Sequence, residues 1–252
     1  MIWSLPDDFT RHEWYIFRMS PAPAPASRKP VTAARIAAAG AFTPPAWGVV
    51  LLLVALTCVV QRHTLHQFFA LDDLIMFQQA AGIRPWPHTA WRWLSGWAWF
   101  RSVVPLWGHE PFPYHAVSLA LHAANVLLLH RLARRWGASA IAAFLGAGLY
   151  AASRLHFPAL FAATSIGELL ALAGLLSALL LEAPGPRLAL AGVLMALALS
   201  AKESVMLVPL AAVFVPAPGE SLRARARTLA PLLAGGVLLG AGLLWNGVGS
   251  GR

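Results

Sequence analysis

Charged residues placed at the edges of apolar runs are the part of this chain best suited to chemistry. Asp72 and Asp73 stand about ten residues past the first membrane-length apolar run, at about 46–60, and Lys202-Glu203 sits where two later apolar runs meet. A carboxylate held near an apolar surface has a raised proton affinity and can take a proton from an attacking hydroxyl. A lysine ammonium in the same setting can hold a phosphate. Glu168 falls roughly one turn inside an apolar run, where an unpaired charge is costly. Plainer readings stand beside these. Two aspartates also make a solvated helix cap, and Lys202 can snorkel and pair with Glu203. His115 and His122, seven apart on one helix face, suit hydrogen bonds to neighbouring helices better than a shared metal ion. There is no Gly-rich phosphate loop, no cysteine pair with metal spacing and no serine-centred nucleophile elbow.

The elements that must position these residues are membrane helices. Of 252 residues 58% are hydrophobic and 12% charged, about half the charge of a soluble domain, which excludes most water-soluble classes. The net charge of +9 is then read as basic loops facing anionic lipid rather than nucleic acid. A single cysteine, Cys58, lies inside an apolar run and excludes a disulfide within the chain. Residues 1–45 are polar, aromatic and proline-rich, an extended cytoplasmic segment with little fixed structure. The first apolar run lies too far from Met1 for an ordinary cleaved signal and is expected to remain as a signal anchor.

Further apolar helical runs at about 113–131, 138–153, 164–182, 187–201, 203–217 and 228–246 predict an all-α polytopic membrane protein of about seven spans, filling residues 46–252. Several are shorter than the roughly 20 residues an upright span prefers. Twelve of the nineteen basic residues fall on the side of the N-terminus and seven on the other, which places the N-terminus in the cytoplasm. Segments 62–112 and 154–163 and the 202–203 turn are then extracytoplasmic, with Asp72, Asp73, His156, Glu168 and Lys202 on one side of a bacterial inner (plasma) membrane. The long segment 62–112 holds six of the eleven tryptophans together with Arg84, Arg92 and Arg101. Such a stretch suits an interfacial belt and also the wall of a lipid-substrate groove.

Four local patterns resemble a known family. Phe69-Ala-Leu-Asp72-Asp73 resembles an aromatic-x-x-Asp-Asp motif of a first outer loop. Pro111-Phe-Pro-Tyr114-His115 through His122-Ala-Ala-Asn125 resembles an Asn-Pro-x-x-x-His-x-x-Asn-x-x-x-His entry to span two. His156 followed by Glu168-Leu-Leu-Ala resembles an outer His motif and an acidic-Leu-Leu start of span four. Ala201-Lys202-Glu203-Ser204 with Leu207-Val-Pro209-Leu resembles a Lys-Glu-(Ser/Thr) turn with a Leu-Pro continuation. Together, over about residues 46–246, they are similar to the N-terminal module of the GT-C superfamily of polyprenyl-phosphate-sugar-dependent glycosyltransferases. The likeness is to the branch of transmembrane and tetratricopeptide-repeat O-mannosyltransferases and their bacterial relatives. Ser153 and Pro158 stand where many relatives have a second His and a Glu, and Ser165-Ile166 where a Gly-Arg is common.

The resemblance implies an inverting, mannosyltransferase-like transfer of a sugar from a polyprenyl-phosphate donor to a hydroxyl at the extracytoplasmic face. The acceptor is a protein, lipid or glycan. Asp72 or Asp73 would deprotonate it, and Lys202, Arg92 and His156 would stabilise the departing phosphate, with Glu168 and Glu203 fixing those cations. Some members of the superfamily use a divalent cation and others none, and the carboxylates leave both open. Family enzymes usually have more than seven spans and often a C-terminal domain, so the chain is read as a truncated gene product, a fragment or a minimal module, with a partner as one source of further spans. The competing readings are a non-catalytic scaffold or transporter-like protein, or an inactive truncated fragment. Charges at the outer edge, away from the midplane, fit a transporter poorly.

Overall fold

The computed structural model describes residues 47–86, 92–181, 186–215 and 220–249. The expectations for residues 1–45, and for the part of the tryptophan-rich segment at 87–91, lie outside the described residues. Every regular element among them is helical. In chain order they are α1 (Trp47–Gln61), α2 (Leu71–Ala80), α3 (Trp99–Trp107), α4 (Pro111–Arg135), α5 (Ala140–Ala152), α6 (Phe157–Phe161), α7 (Ile166–Leu181), α8 (Pro186–Ala201), α9 (Val208–Val213) and α10 (Leu222–Gly249). Short 3-10 turns at Arg62–His66, Arg154–His156, Ala163–Ser165 and Glu203–Leu207 link them, and a π-turn at Leu94–Ala98 leads into α3.

Helix α4 is the pillar of the bundle. It starts on Pro111, whose missing N–H and fixed φ suit a first helical position, and ends with Arg134 and Arg135 in its last turn, where cations oppose the helix dipole. Gly137 takes φ +91° just beyond it, and Ser139 caps α5 by accepting from the Ala142 amide, so α4 and α5 form a tight antiparallel hairpin. Helix α1 packs on both, around Leu53, Val126, Ala147 and Ala151. On the other flank α7 and α8 pair and pack on α4 and α10 around Leu175, Leu179, Met195, Leu199 and Leu229. Gly174 brings α7 and α8 together: a Cβ there would lie 3.0 Å from the Ala198 Cβ and from the Leu194 carbonyl oxygen.

Three helical stretches, Trp47–His66, Pro111–Arg135 and Ala163–Leu181, are long and apolar enough to cross a membrane among the described residues. A fourth arises if Ala140–Ala152 and Arg154–Phe161, bent by 46° at their junction, form one broken span. This corrects the expected count of seven. Helix α5 stops after 13 residues, α8 has 16, and the run expected at 203–217 divides into a five-residue 3-10 turn and a six-residue α9. Pro158 and Pro209, each in the first turn of its helix, restart the chain in a new direction where hydropathy alone reads as continuous. Leu51, Leu52, Leu145, Leu149 and Leu238 face outward on α1, α5 and α10, a surface suited to lipid rather than water.

The tryptophan-rich segment packs into the bundle. Phe77 of α2, Phe100 of α3 and Tyr114 of α4 form a buried aromatic knot, with ring centroids 5.6–6.3 Å apart, joined by Phe69 and Trp107. The Tyr114 hydroxyl donates to the Gly108 carbonyl at 2.9 Å and fixes the turn into α4. Trp93 and Trp97 stack at 5.6 Å and remain exposed, as an interfacial pair would.

Candidate functional site

The two aspartates, adjacent in sequence, have separate fates. Asp73 is the third residue of α2 and completely buried. Its Oδ2 accepts from the Ala70 amide at 2.8 Å and from the Ala163 amide at 3.2 Å, and its Oδ1 from the Thr164 amide at 2.7 Å. It therefore caps α2 and ties it to the start of α7, and its acceptor positions are turned into the fold. Both aspartates were candidates for the base, and this burial leaves Asp72. One residue earlier on the helix, about 100° round, Asp72 is exposed and makes no hydrogen bond or ion pair among the described residues.

Asp72 lines a cavity of about 330 Å³ together with Arg92, Glu168 and Lys202. Four separate parts of the chain thus supply its charged groups: α2, the tryptophan-rich segment, α7 and the end of α8. Two ion pairs organise them. Lys202 Nζ lies 2.9 Å from Glu168 Oε1, and the Arg92 guanidinium grips Glu203 with two contacts, 2.6 and 3.1 Å. The expected neighbour pair Lys202–Glu203 does not form. Lys202 is extended, at φ −158° and ψ 130°, and successive side chains of an extended backbone point to opposite sides. Lys202 thus turns to α7 and Glu203 to Arg92. Arg92 sits at φ +52°, a conformation costly for a residue with a Cβ, and is held there beside the cavity.

The floor is a close approach of three backbones. The Ser95 hydroxyl donates to the Ala201 carbonyl at 2.7 Å, and Gly167 lies directly against both. A Cβ on Gly167 would stand 2.8 Å from the Ala201 oxygen and 2.8 Å from Ser95 Oγ, closer than a methyl group tolerates. Gly167→Ala is expected to lower stability by about 1–3 kcal/mol, read as a fall in the midpoint of thermal unfolding in detergent. A midpoint equal to wild type would show that these backbones part without cost. Ser95, Gly96, Thr164 and Gly167 all line the cavity and were not singled out from sequence, while Ser165, noted there only as a departure from the resembled family, lines it too. Gly167, directly before the charged Glu168 in an apolar run, was the available signal.

His156 is elsewhere. The bend after α5 sets its ring 4.2 Å from Tyr150 and 5.0 Å from His122, and it does not line the cavity. His115 and His122 each reach a backbone carbonyl of a neighbouring element, Leu160 at 3.1 Å and Ala151 at 3.4 Å, and Asn125 donates to Leu169 at 3.0 Å. No group of three or more His, Cys, Asp or Glu side chains converges in metal-binding geometry among the described residues.

The cavity and a basic cluster occupy opposite ends of the bundle. Helix α7 begins beside the cavity at Glu168, and near its other end the Leu180 carbonyl accepts from Arg135. There the Arg225 guanidinium of α10 lies 5.1 Å from the centre of the Trp136 ring, joining the arginines that end α4 to those that begin α10.

No protein-family model, no curated protein and no solved structure matches this chain.

Proposed function

We propose that the chain is a membrane glycosyltransferase of GT-C type, or the part of one that holds its active site, and that it transfers a sugar from a polyprenyl-phosphate donor to a hydroxyl acceptor. The single observation that carries this reading is the shared cavity: an unpaired carboxylate, Asp72, faces the same space as two cations, Lys202 and Arg92, at one end of a bundle with membrane-length helices. Inverting transfer needs that combination. Asp72 takes the proton of the acceptor hydroxyl as its oxygen bonds to the anomeric carbon. The bond from that carbon to the phosphate oxygen breaks, and the leaving polyprenyl phosphate carries the electron pair and a second negative charge.

Lys202 and Arg92 receive that charge. Each already has a carboxylate partner, so they are pre-positioned, and the phosphate competes with Glu168 and Glu203 for them. Formally the five charged groups sum to −1, from Asp72, Glu168 and Glu203 against Arg92 and Lys202. Glycosyl transfer is favoured over scaffolding because this acid opens onto the same space as two cations drawn from separate parts of the chain.

Donor binding tests the role of Lys202. With a photoreactive polyprenyl-phosphate sugar, Lys202→Ala is expected to reduce specific labelling of the protein by about tenfold or more, a lost charge-assisted contact being worth roughly 1.5–3 kcal/mol. Labelling unchanged by the substitution would remove Lys202 from the donor site.

Orientation is part of the proposal. The arginine-rich end is cytoplasmic and the cavity extracytoplasmic. With the single cysteine replaced, Cys58→Ser, a Gln78→Cys variant places a thiol on exposed α2 and should react with an impermeant maleimide from outside intact cells. Labelling only after the membrane is opened would reverse the topology and sink the site with it.

A further inference from the structure

Outside the proposed catalytic cavity, three side chains from three elements meet beside the bend that ends α5: His122 of α4, Tyr150 of α5 and His156 of the turn after it. His122 is completely buried. Its Nε2 faces the Ala151 carbonyl oxygen at 3.4 Å, and a carbonyl can only accept, so Nε2 carries the proton and Nδ1 the lone pair. That Nδ1 has no partner, nor has the Tyr150 hydroxyl. A buried lone pair with nothing to bind is destabilising unless something fills the gap. His156 lies on the open side, half-buried, and gives a way in.

We propose that His122 and His156 bind a divalent first-row cation of imidazole preference, Zn²⁺ or Cu²⁺, with the Tyr150 oxygen or water completing its shell. The spacing fits. With a metal–nitrogen bond of about 2.0–2.1 Å, two imidazoles on one ion at a near-tetrahedral angle have ring centroids about 5 Å apart. The two rings stand 5.0 Å apart and are inclined at 49°. The second half of the arrangement is also present: a ligating imidazole usually donates its other N–H to a backbone carbonyl or carboxylate, which fixes the tautomer, and Ala151 provides that acceptor for His122. Gln61 of α1 donates to the same carbonyl at 2.9 Å, anchoring it from a third helix. Two nitrogens and a phenol oxygen are ligands for zinc or copper rather than magnesium or calcium, which prefer carboxylates. Since α1, α4 and the broken α5–α6 pair meet here, an ion would pin the bend.

The test uses the full chain, purified in detergent, stripped with chelator and titrated with Cu²⁺ under electron paramagnetic resonance. The expected result is one tightly held equivalent with superhyperfine splitting from two imidazole nitrogens, displaced by one equivalent of Zn²⁺. His156→Ala, at a half-exposed position, should lose that signal while the thermal midpoint of the metal-free protein stays near wild type. Tyr150→Phe should keep the two-nitrogen splitting and shift the g values. His63→Ala with His66→Ala, on the exposed turn after α1, should leave the signal intact. No stoichiometric binding, a signal that survives His156→Ala, or one abolished by the His63 and His66 substitutions would each overturn the site. None of these readouts depends on glycosyl transfer.

Discussion

Asp72→Asn is expected to lower sugar transfer by about 10²–10⁴-fold, the usual contribution of a positioned general base, and to leave donor binding equal to wild type or tighter. The two halves have one cause. Asparagine keeps the size of the side chain and removes the proton acceptor, so the acceptor hydroxyl attacks without help. It also removes one of the two carboxylates that line the cavity, so repulsion against an anionic phosphate in the ground state falls. A loss confined to kcat, with KM for the donor unchanged or lower, separates this role from that of Lys202, whose removal weakens donor binding as well. Equal loss of binding and turnover in Asp72→Asn would point to a structural role for the residue.

Asp73→Ala is expected to destabilise the fold by roughly 3–5 kcal/mol, the largest stability effect of any single substitution at the site. Three backbone amides, those of Ala70, Ala163 and Thr164, donate to this carboxylate in a fully buried position, and alanine leaves all three without it. Two of the three belong to the turn that introduces α7, so its loss also loosens the positions of Thr164 and Glu168 in the cavity wall. Asp73→Asn retains one accepting oxygen and should fall between alanine and wild type. Thermal unfolding in detergent reads the order directly, and an Asp73→Ala protein that melts with wild type would refute the capping role. Neighbouring aspartates should thus fail in opposite ways, one in turnover and one in folding.

The site was partly legible in the sequence because charge inside an apolar run is expensive and therefore conspicuous. Asp72, Glu168 and Lys202 stood out for that reason, and the structure brings them to one cavity with Arg92. What was not legible depended on backbone direction. Which aspartate faces the cavity follows from the register of α2, where a single residue turns the side chain from solvent into the Ala163–Thr164 turn. Which glutamate holds Lys202 follows from its extended φ and ψ, which sends Lys202 and Glu203 to opposite sides. His156 shared the expected side of the membrane with the cavity, but the 46° bend after α5 turns it toward His122. The helical class was legible from hydropathy. The span count was not, because breaks at Ser153–Pro158 and Lys202–Pro209 interrupt hydrogen bonding without interrupting apolar composition.

The central claim is that Asp72 activates an acceptor beside a phosphate held by Lys202 and Arg92. Its most direct test is sugar transfer in membranes carrying the longest natural reading frame, supplied with a radiolabelled polyprenyl-phosphate sugar. The account predicts transfer by wild type, retained donor binding with transfer reduced about 10²–10⁴-fold in Asp72→Asn, and weakened binding in Lys202→Ala. Transfer undiminished in Asp72→Asn, or a wild-type protein that neither retains the donor nor transfers its sugar, would contradict it.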